Sequence, residues 1–369
     1  MKKIILLLFL SFTLFFNGCK GYDDVNRLLF VTTVIIDVDK NNMPIIYLEA
    51  FKPTRTTQSG SEKGERLLFK GTGKTVFEAL NDINLSSSLR LNYTQNKVIM
   101  FTQCAAKYGI DNFIDIIDRE QQFLVRPYIA VLMTSPDRIL GAKIKSEEYI
   151  GIYIHDLIEN VGSSPRAIKL PVNDYLNKRL IGSRTGIVTA IDLKKDQLED
   201  IIEIEGGTII KNDKMVDFMP KTLGLGYNFL MNNLASGSLE ITNPDVPDRF
   251  VTLRILNSKT KTNLTYDGET IYLNKSIKLK TTMGSVQKKI SFSNGELEKI
   301  KEKSKSNIEE ACKILFNKYK EENLDIFDIQ EEFERKYPNV KVENVLKIAE
   351  LKLQIDETIE GSPDIQGNT

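Results

Sequence analysis

Chemistry in this chain could start from a thiol, a Gly-x-Gly-Lys-Thr turn, an aspartate-rich loop or a single imidazole. The thiol sits in the most specific setting. Lys2 and Lys3 precede an apolar run over 4–16, and Phe16-Asn17-Gly18-Cys19 follows at once. A short positive stretch ahead of an apolar run too short to span a bilayer stably marks a secretory signal. A small residue followed by Cys at that point is a lipobox, where a diacylglyceryl group is added to the thiol and the chain is cut before it. Phe16 stands where Leu is usual. The motif predicts a signal peptide over 1–18 and a lipid on Cys19, with each acyl chain contributing about 0.8 kcal/mol per buried methylene. The competing reading is an ordinary cleaved signal with an incidental Cys.

The remaining groups read better as structure. Gly71-Thr72-Gly73-Lys74-Thr75 suggests a phosphate loop, but Leu68 stands where that loop needs its first Gly, so a turn and helix cap are expected. Asp37-x-Asp39-x-Asn41 suggests a calcium loop. Asn42 and Leu48 occupy the positions that need Gly and Glu, so a hairpin turn is expected. His155 is the single histidine, without a second one for a metal or a nucleophile motif for a triad. Glu331-Glu332 are adjacent on a charged helix and point to different sides, as solvated surface. Cys104 and Cys312 lie in no metal spacing and read as small buried residues; whether they pair is open. Carboxylates alone remain as catalysts, which favours binding or assembly over catalysis, with no catalytic residue, metal or cofactor to assign.

Composition agrees with a folded body. Lys plus Arg and Asp plus Glu number 50 each, and 41% of residues are hydrophobic. Without a basic excess nothing suggests nucleic acid, and a chain this long is expected to form two or three domains.

The elements that must position these groups follow from periodicity and turn chemistry. Strands are expected over 28–36 and 45–51 as a hairpin, then over 67–70. Thr75 and Glu78 form a capping box for a helix with Val76, Ala79, Leu80 and Ile83 on one face. Strands over 97–101 and 128–133 flank a helix over 111–121, and a strand follows over 186–191. The charged stretch 194–200 is the first expected boundary. A strand pair over 201–210 and 214–218, a helix over 222–233 and a strand over 239–242 make a small unit. Its end is marked by Asn243-Pro244-Asp245-Val246-Pro247. Four strands are expected over 250–257, 259–265, 270–279 and 284–292. A second capping box, Ser293 to Glu296, opens a long helix with Leu297, Ile300, Ile308, Ala311, Leu315 and Tyr319 on one stripe. A helix over 328–337 stopped by Pro338 and a strand over 349–359 complete the chain. The expected class is α+β, with three mixed α/β domains over 19–197, 198–246 and 247–369, each a sheet with flanking helices.

In order and spacing these landmarks resemble the Ger(x)C family, the lipoprotein C subunits of bacterial spore germinant receptors. Behind Cys19, the run Lys20-Gly21-Tyr22-Asp23-Asp24-Val25-Asn26-Arg27-Leu28 is similar to the family's opening, with Lys20 and Gly21 replacing its Trp and Asp. Ile35-Ile36-Asp37 resembles the segment before its first turn, and Gly73 with 75–80 its first helix start. The segment 91–100 resembles its next strand, with Gln95-Asn96 in place of Gly-His. Asp118-Arg119-Glu120 with Arg126, Gly206-Gly207 through Phe218, and Asp325-Ile326-Phe327 through Tyr337-Pro338 resemble later landmarks. The resemblance implies three mixed α/β domains without enzymatic activity. It also implies two integral-membrane partners, the A and B subunits, and a lipid-anchored place on the outer face of the spore inner membrane. The alternative class is an extracytoplasmic ligand-binding lipoprotein of a transporter, which calls for two large doubly wound lobes. A lipoprotein hydrolase is a third, disfavoured by the missing catalytic groups.

Overall fold

The computed structural model describes residues 27–53, 64–119, 127–144, 146–160, 164, 166–195, 200–234, 236–244, 246, 248–287 and 294–360. The signal segment, Cys19, Ser293, Glu120 and Arg126 lie outside them.

Val, Ile and Thr dominate β1 (Leu28–Val38), which is buried on both faces and therefore central. It pairs antiparallel with β2 (Pro44–Lys52), which pairs with β3 (Glu65–Thr72). Helix α1 (Val76–Ser86) leads back to β4 (Arg90–Asn92), which lies parallel to the start of β1. The strands β5 (Val98–Thr102), β6 (Tyr128–Leu132) and β7 (Thr185–Lys195) then add in parallel beyond β1. Their crossovers carry α2 (Gln103–Tyr108) and α3 (Asp111–Arg119) before β6, then α4 (Pro136–Leu140), α5 (Ile150–Asn160) and α6 (Val172–Lys178). Two antiparallel strands, β8 (Asp200–Lys211) and β9 (Lys214–Pro220), finish the sheet in the order β3-β2-β1-β5-β6-β7-β8-β9, with β4 attached to β1.

Buried Glu49 on β2 fixes α5 against this sheet. Its carboxylate accepts from Thr32 Oγ1 (2.7 Å), Thr33 Oγ1 (3.0 Å) and Arg66 Nε (2.7 Å). It also accepts from the Ile150 and Gly151 N–H groups, both at 2.9 Å. An anion at a helix N-terminus satisfies amides that have no partner within the helix. Gly151 is required there, because a Cβ would sit 2.4 Å from Thr33 Oγ1.

After the short helix α7 (Gly224–Leu230), a second sheet forms in the order β10-β11-β12-β13. Its strands are β10 (Gly237–Thr242), β11 (Phe250–Tyr266), β12 (Ile271–Val286) and β13 (Ala349–Ile359), with β13 parallel to β12. Helix α8 (Asn294–Glu321) covers one face, and α9 (Ile329–Lys336) follows it. Ile300, Ile308, Leu315 and Tyr319 are buried as the stripe predicts, while Leu297 and Ala311 are only half-buried.

The structure departs from the sequence expectations in two places. Four strands expected over 250–292 are two long ones over 250–266 and 271–286, with 288–292 outside the described residues. Between Ile255 and Asn257 the register shifts in a bulge rather than a turn, and neither Gly nor Pro interrupts the chain there. The segment 198–246, expected as a small domain, has no sheet of its own. β8 and β9 extend the first sheet and β10 edges the second. The architecture is mixed α/β on two sheets. Ile187, Ile209 and Met219 of the first sheet share one apolar cluster with Leu253, Leu273 and Phe316 of the second half.

Candidate functional site

Apart from Cys19, which lies outside the described residues, the groups singled out by residue type can be placed. Thr75 Oγ1 accepts the Glu78 N–H at 3.1 Å, and Glu78 Oε2 accepts the Lys74 N–H at 2.6 Å, so the Gly-rich turn caps α1. Its glycines admit close packing: a Cβ on Gly71 would lie 2.2 Å from Ala79 O, and one on Gly73 would lie 2.6 Å from Ala79 N. Asp39 Oδ1 accepts the Asn41 and Met43 N–H groups at 2.7 and 2.8 Å, closing the hairpin turn. Asp37 Oδ1 accepts from Thr102 Oγ1 at 2.5 Å, tying that turn to β5. His155 is half-buried on α5, with its ring 5.6 Å from that of Tyr128 and Nδ1 3.2 Å from Asp156. Glu332 pairs with Arg335 at 2.5 Å. Glu331 packs against Gly182, where an added Cβ would lie 3.0 Å from its backbone N, so it belongs to a junction rather than to open surface. Cys312 is buried on α8 as expected, whereas Cys104, expected to be buried, is exposed on α2, and both are free. Burial pushes the Cys312 thiol up to about 12 and leaves it inert as a nucleophile.

Two features lie where the halves of the molecule meet. The first is a polar cleft of about 670 Å³ lined by Tyr128, Ser164, Lys169, Asn228, Asn232 and Lys259, among others. It offers hydrogen-bond donors, two cations and the carboxylate of Asp174. The second is a polar seam. Lys178 Nζ meets the Asp328 carboxylate at 2.6 and 2.7 Å, Ser183 Oγ donates to Asp325 O at 3.2 Å, and Lys211 Nζ donates to Asn323 O at 2.9 Å. Asp325 itself accepts the Phe327, Ile329 and Gln330 N–H groups, and its burial raises its pKa. With the shared apolar cluster, this seam locks the first and last parts of the chain together.

A charged group escaped sequence inspection. Lys275 lies on the core face of β12 in alternation with Leu273, Ile277 and Leu279, and only 3% of it is exposed. Its Nζ donates to Leu230 O at 2.7 Å, at the C-terminal end of α7, and to Thr262 Oγ1 at 2.9 Å. Desolvation lowers its pKa to about 8, opposed by the more distant Asp328 and Glu332. The period-2 pattern of the strand was the signal that placed it inside.

Known proteins account for this arrangement. Residues 21–193 match the spore germination protein N-terminal domain, and residues 205–362 match the spore germination B3/GerAC-like C-terminal domain. The chain therefore belongs to the Ger(x)C family of spore germination proteins. It is similar to the spore germination protein GerQC of Bacillus cereus, 23% identical over 333 residues that span 88% of each chain. The crystal structure of the GerBC protein has the same fold, with a TM-score of 0.59 at 15% identity over 89% of this chain and 97% of that one. Among the described residues no helix is long and apolar enough to cross a membrane.

Proposed function

We propose that this chain is the non-enzymatic, lipid-tethered subunit of a nutrient germinant receptor, required for the receptor to assemble or signal. The observation that carries the proposal is the lipobox ending at Cys19, nine positions before the first strand of a fold shared with GerBC. Nine residues reach at most about 32 Å when extended, so a lipid at Cys19 would keep the β1 end of the body close to the membrane surface. In this reading the body docks on the integral-membrane A and B subunits at the outer face of the spore inner membrane. Tethering raises effective concentration, so a modest interface suffices. The transporter alternative draws no support from the two sheets, which are not a pair of doubly wound lobes.

The test is nutrient-triggered dipicolinic acid release from spores whose only copy carries Cys19→Ala. The expected result is loss of release, with the protein missing from the spore membrane fraction. Normal release with several germinants, in a strain lacking redundant homologues, would overturn the proposal.

A further inference from the structure

Of the four strands that end the two sheet orders, β13 is the longest at 11 residues, against 8 for β3, 7 for β9 and 6 for β10. Among the described residues nothing pairs with its outer side. An edge of this length exposes unpaired backbone groups and acts as a template for another strand unless its side chains forbid it.

The hydrogen bonds fix which groups point outward. The Ile271 N–H donates to Ile348 O at 3.1 Å, and the Glu360 N–H donates to Thr281 O at 2.7 Å. In a parallel ladder one residue bonds the two residues flanking its partner, so even-numbered residues from 348 to 360 bond β12. The odd-numbered residues Leu351, Leu353, Ile355, Glu357 and Ile359 turn their N–H and C=O groups outward. The first outward carbonyl, Ala349 O, is capped by Lys320 Nζ at 2.7 Å, and the ladder from Leu351 onward is open.

The geometry points to antiparallel pairing of β13 with β13 of a second copy, about a two-fold axis at Gln354. The edge sets the parity: odd residues must form the hydrogen-bonded pairs, and two-fold symmetry then centres the register on a single residue. Charge selects which one. Centred on Gln354, Lys352 faces Asp356 twice, Glu350 faces Thr358, and all these side chains lie on the exposed face. Centred on Leu353, Glu350 would face Asp356; centred on Ile355, it would face Glu360. Centring on Lys352 or Asp356 sets a like charge against itself. Directly opposed like charges destabilise a ladder and opposite charges stabilise it: registers centred on Lys352, Leu353 and Ile355 are penalised, the one centred on Asp356 sets its self-repulsion against two pairs of Lys352 with Glu360, and the Gln354 register alone opposes unlike charges without any like pair. The favoured register places Lys352 and Asp356 in non-hydrogen-bonded pairs, where side chains approach most closely. Lys352 is already held on that face, with Nζ 3.6 Å from the centre of the Tyr272 ring.

The inner face fits as well. Leu353 would face Ile355 twice and Ala349 would face Ile359. Leu353, Ile355 and Ile359 are half-buried on the rim of the apolar cluster, and a second copy would cover them. Glu357 would face Leu351; it is buried within its own subunit, where it accepts from Thr281 Oγ1 at 2.8 Å. The two four-stranded sheets would become one continuous sheet of eight.

Disulfide trapping in cells that express the full chain tests this, in a Cys104→Ser background that removes the exposed thiol. Under mild oxidation Gln354→Cys should give a species of twice the monomer mass. Glu350→Cys or Thr358→Cys alone should not, whereas the two expressed together should. Adding Lys352→Asp should reduce Gln354→Cys trapping by about tenfold, since both attractive pairs become repulsive. Adding Asp356→Lys as well should restore it, which a folding defect would not do. The inference is overturned if Gln354→Cys stays monomeric or cross-links no better than Glu350→Cys. Trapping of a species of a different mass, or charge reversal without effect, would also overturn it.

Discussion

The contribution of Lys275 to stability should rise as pH is raised from 7.5 to 10.5, and the size of the effect follows from its burial. The ammonium has two hydrogen-bond acceptors but no carboxylate in contact, so its folded pKa falls from 10.5 to about 8. Below pH 8 both folded and unfolded chains hold the proton, and the folded chain carries the full cost of the buried charge. Between about 8 and 10.5 the unfolded chain binds more protons, so stability rises with pH; above that window both states are neutral. At 1.36 kcal/mol per pKa unit the gain is about 3 kcal/mol. The comparison is with Lys275→Met, which keeps the aliphatic stem and removes the titration. Buried phenols such as Tyr175 and Tyr227 lower stability above pH 10, and the Cys312 thiol, raised to about 12, lowers it from about pH 9; both proteins carry these groups, so the difference isolates Lys275. Urea unfolding followed by circular dichroism at several pH values gives that difference directly. Wild-type and variant stabilities that run parallel from pH 7.5 to 10.5 would refute the argument. At neutral pH the variant should differ little, because removing the charge is offset by about 1–3 kcal/mol for the acceptors left without a donor.

Glu49→Ala should cost about 3–5 kcal/mol, because it strands Arg66 and two helix amides around a buried site; urea midpoints measure this. In the native protein N-ethylmaleimide should modify Cys104 within minutes and leave Cys312 unmodified until denaturant is added, as mass spectrometry of the digest would show.

Local signals in the sequence specified most of the elements. Thr75 with Glu78, Pro338 after α9, and the alternation over 349–359 each have a short-range cause, and each element lies where that cause places it. The bulge at Ile255 to Asn257 was not legible, since two polar residues in a strand read like a turn when no partner strand is known. Nor was the ownership of β8 and β9, because membership of a sheet is decided by what Ile187, Ile209 and Met219 pack against. The Gly-rich turn, the aspartate-rich loop and Cys312 turned out to be a cap, a turn and core, while His155 and Cys104 lie at least partly exposed on helices; the groups with the most unusual surroundings, Glu49 and Lys275, stood in ordinary strands. The alternation of β12 puts Lys275 on the inner face, but how deeply a charge is buried depends on what covers that face, which no single strand reveals. Cys19 rests on its motif alone.

The two sheets share packing that couples their motion. Among the described residues they are joined by the core that links Ile187 and Met219 to Leu253 and Phe316, and by the seam from Lys178 to Asp328. A tilt imposed at the β13 end is therefore delivered to the β1 end as rotation of one stiff lever. Parting the halves would require opening an apolar core, which is a rare local unfolding event rather than a thermal wobble. A body of this kind reports a push by moving whole.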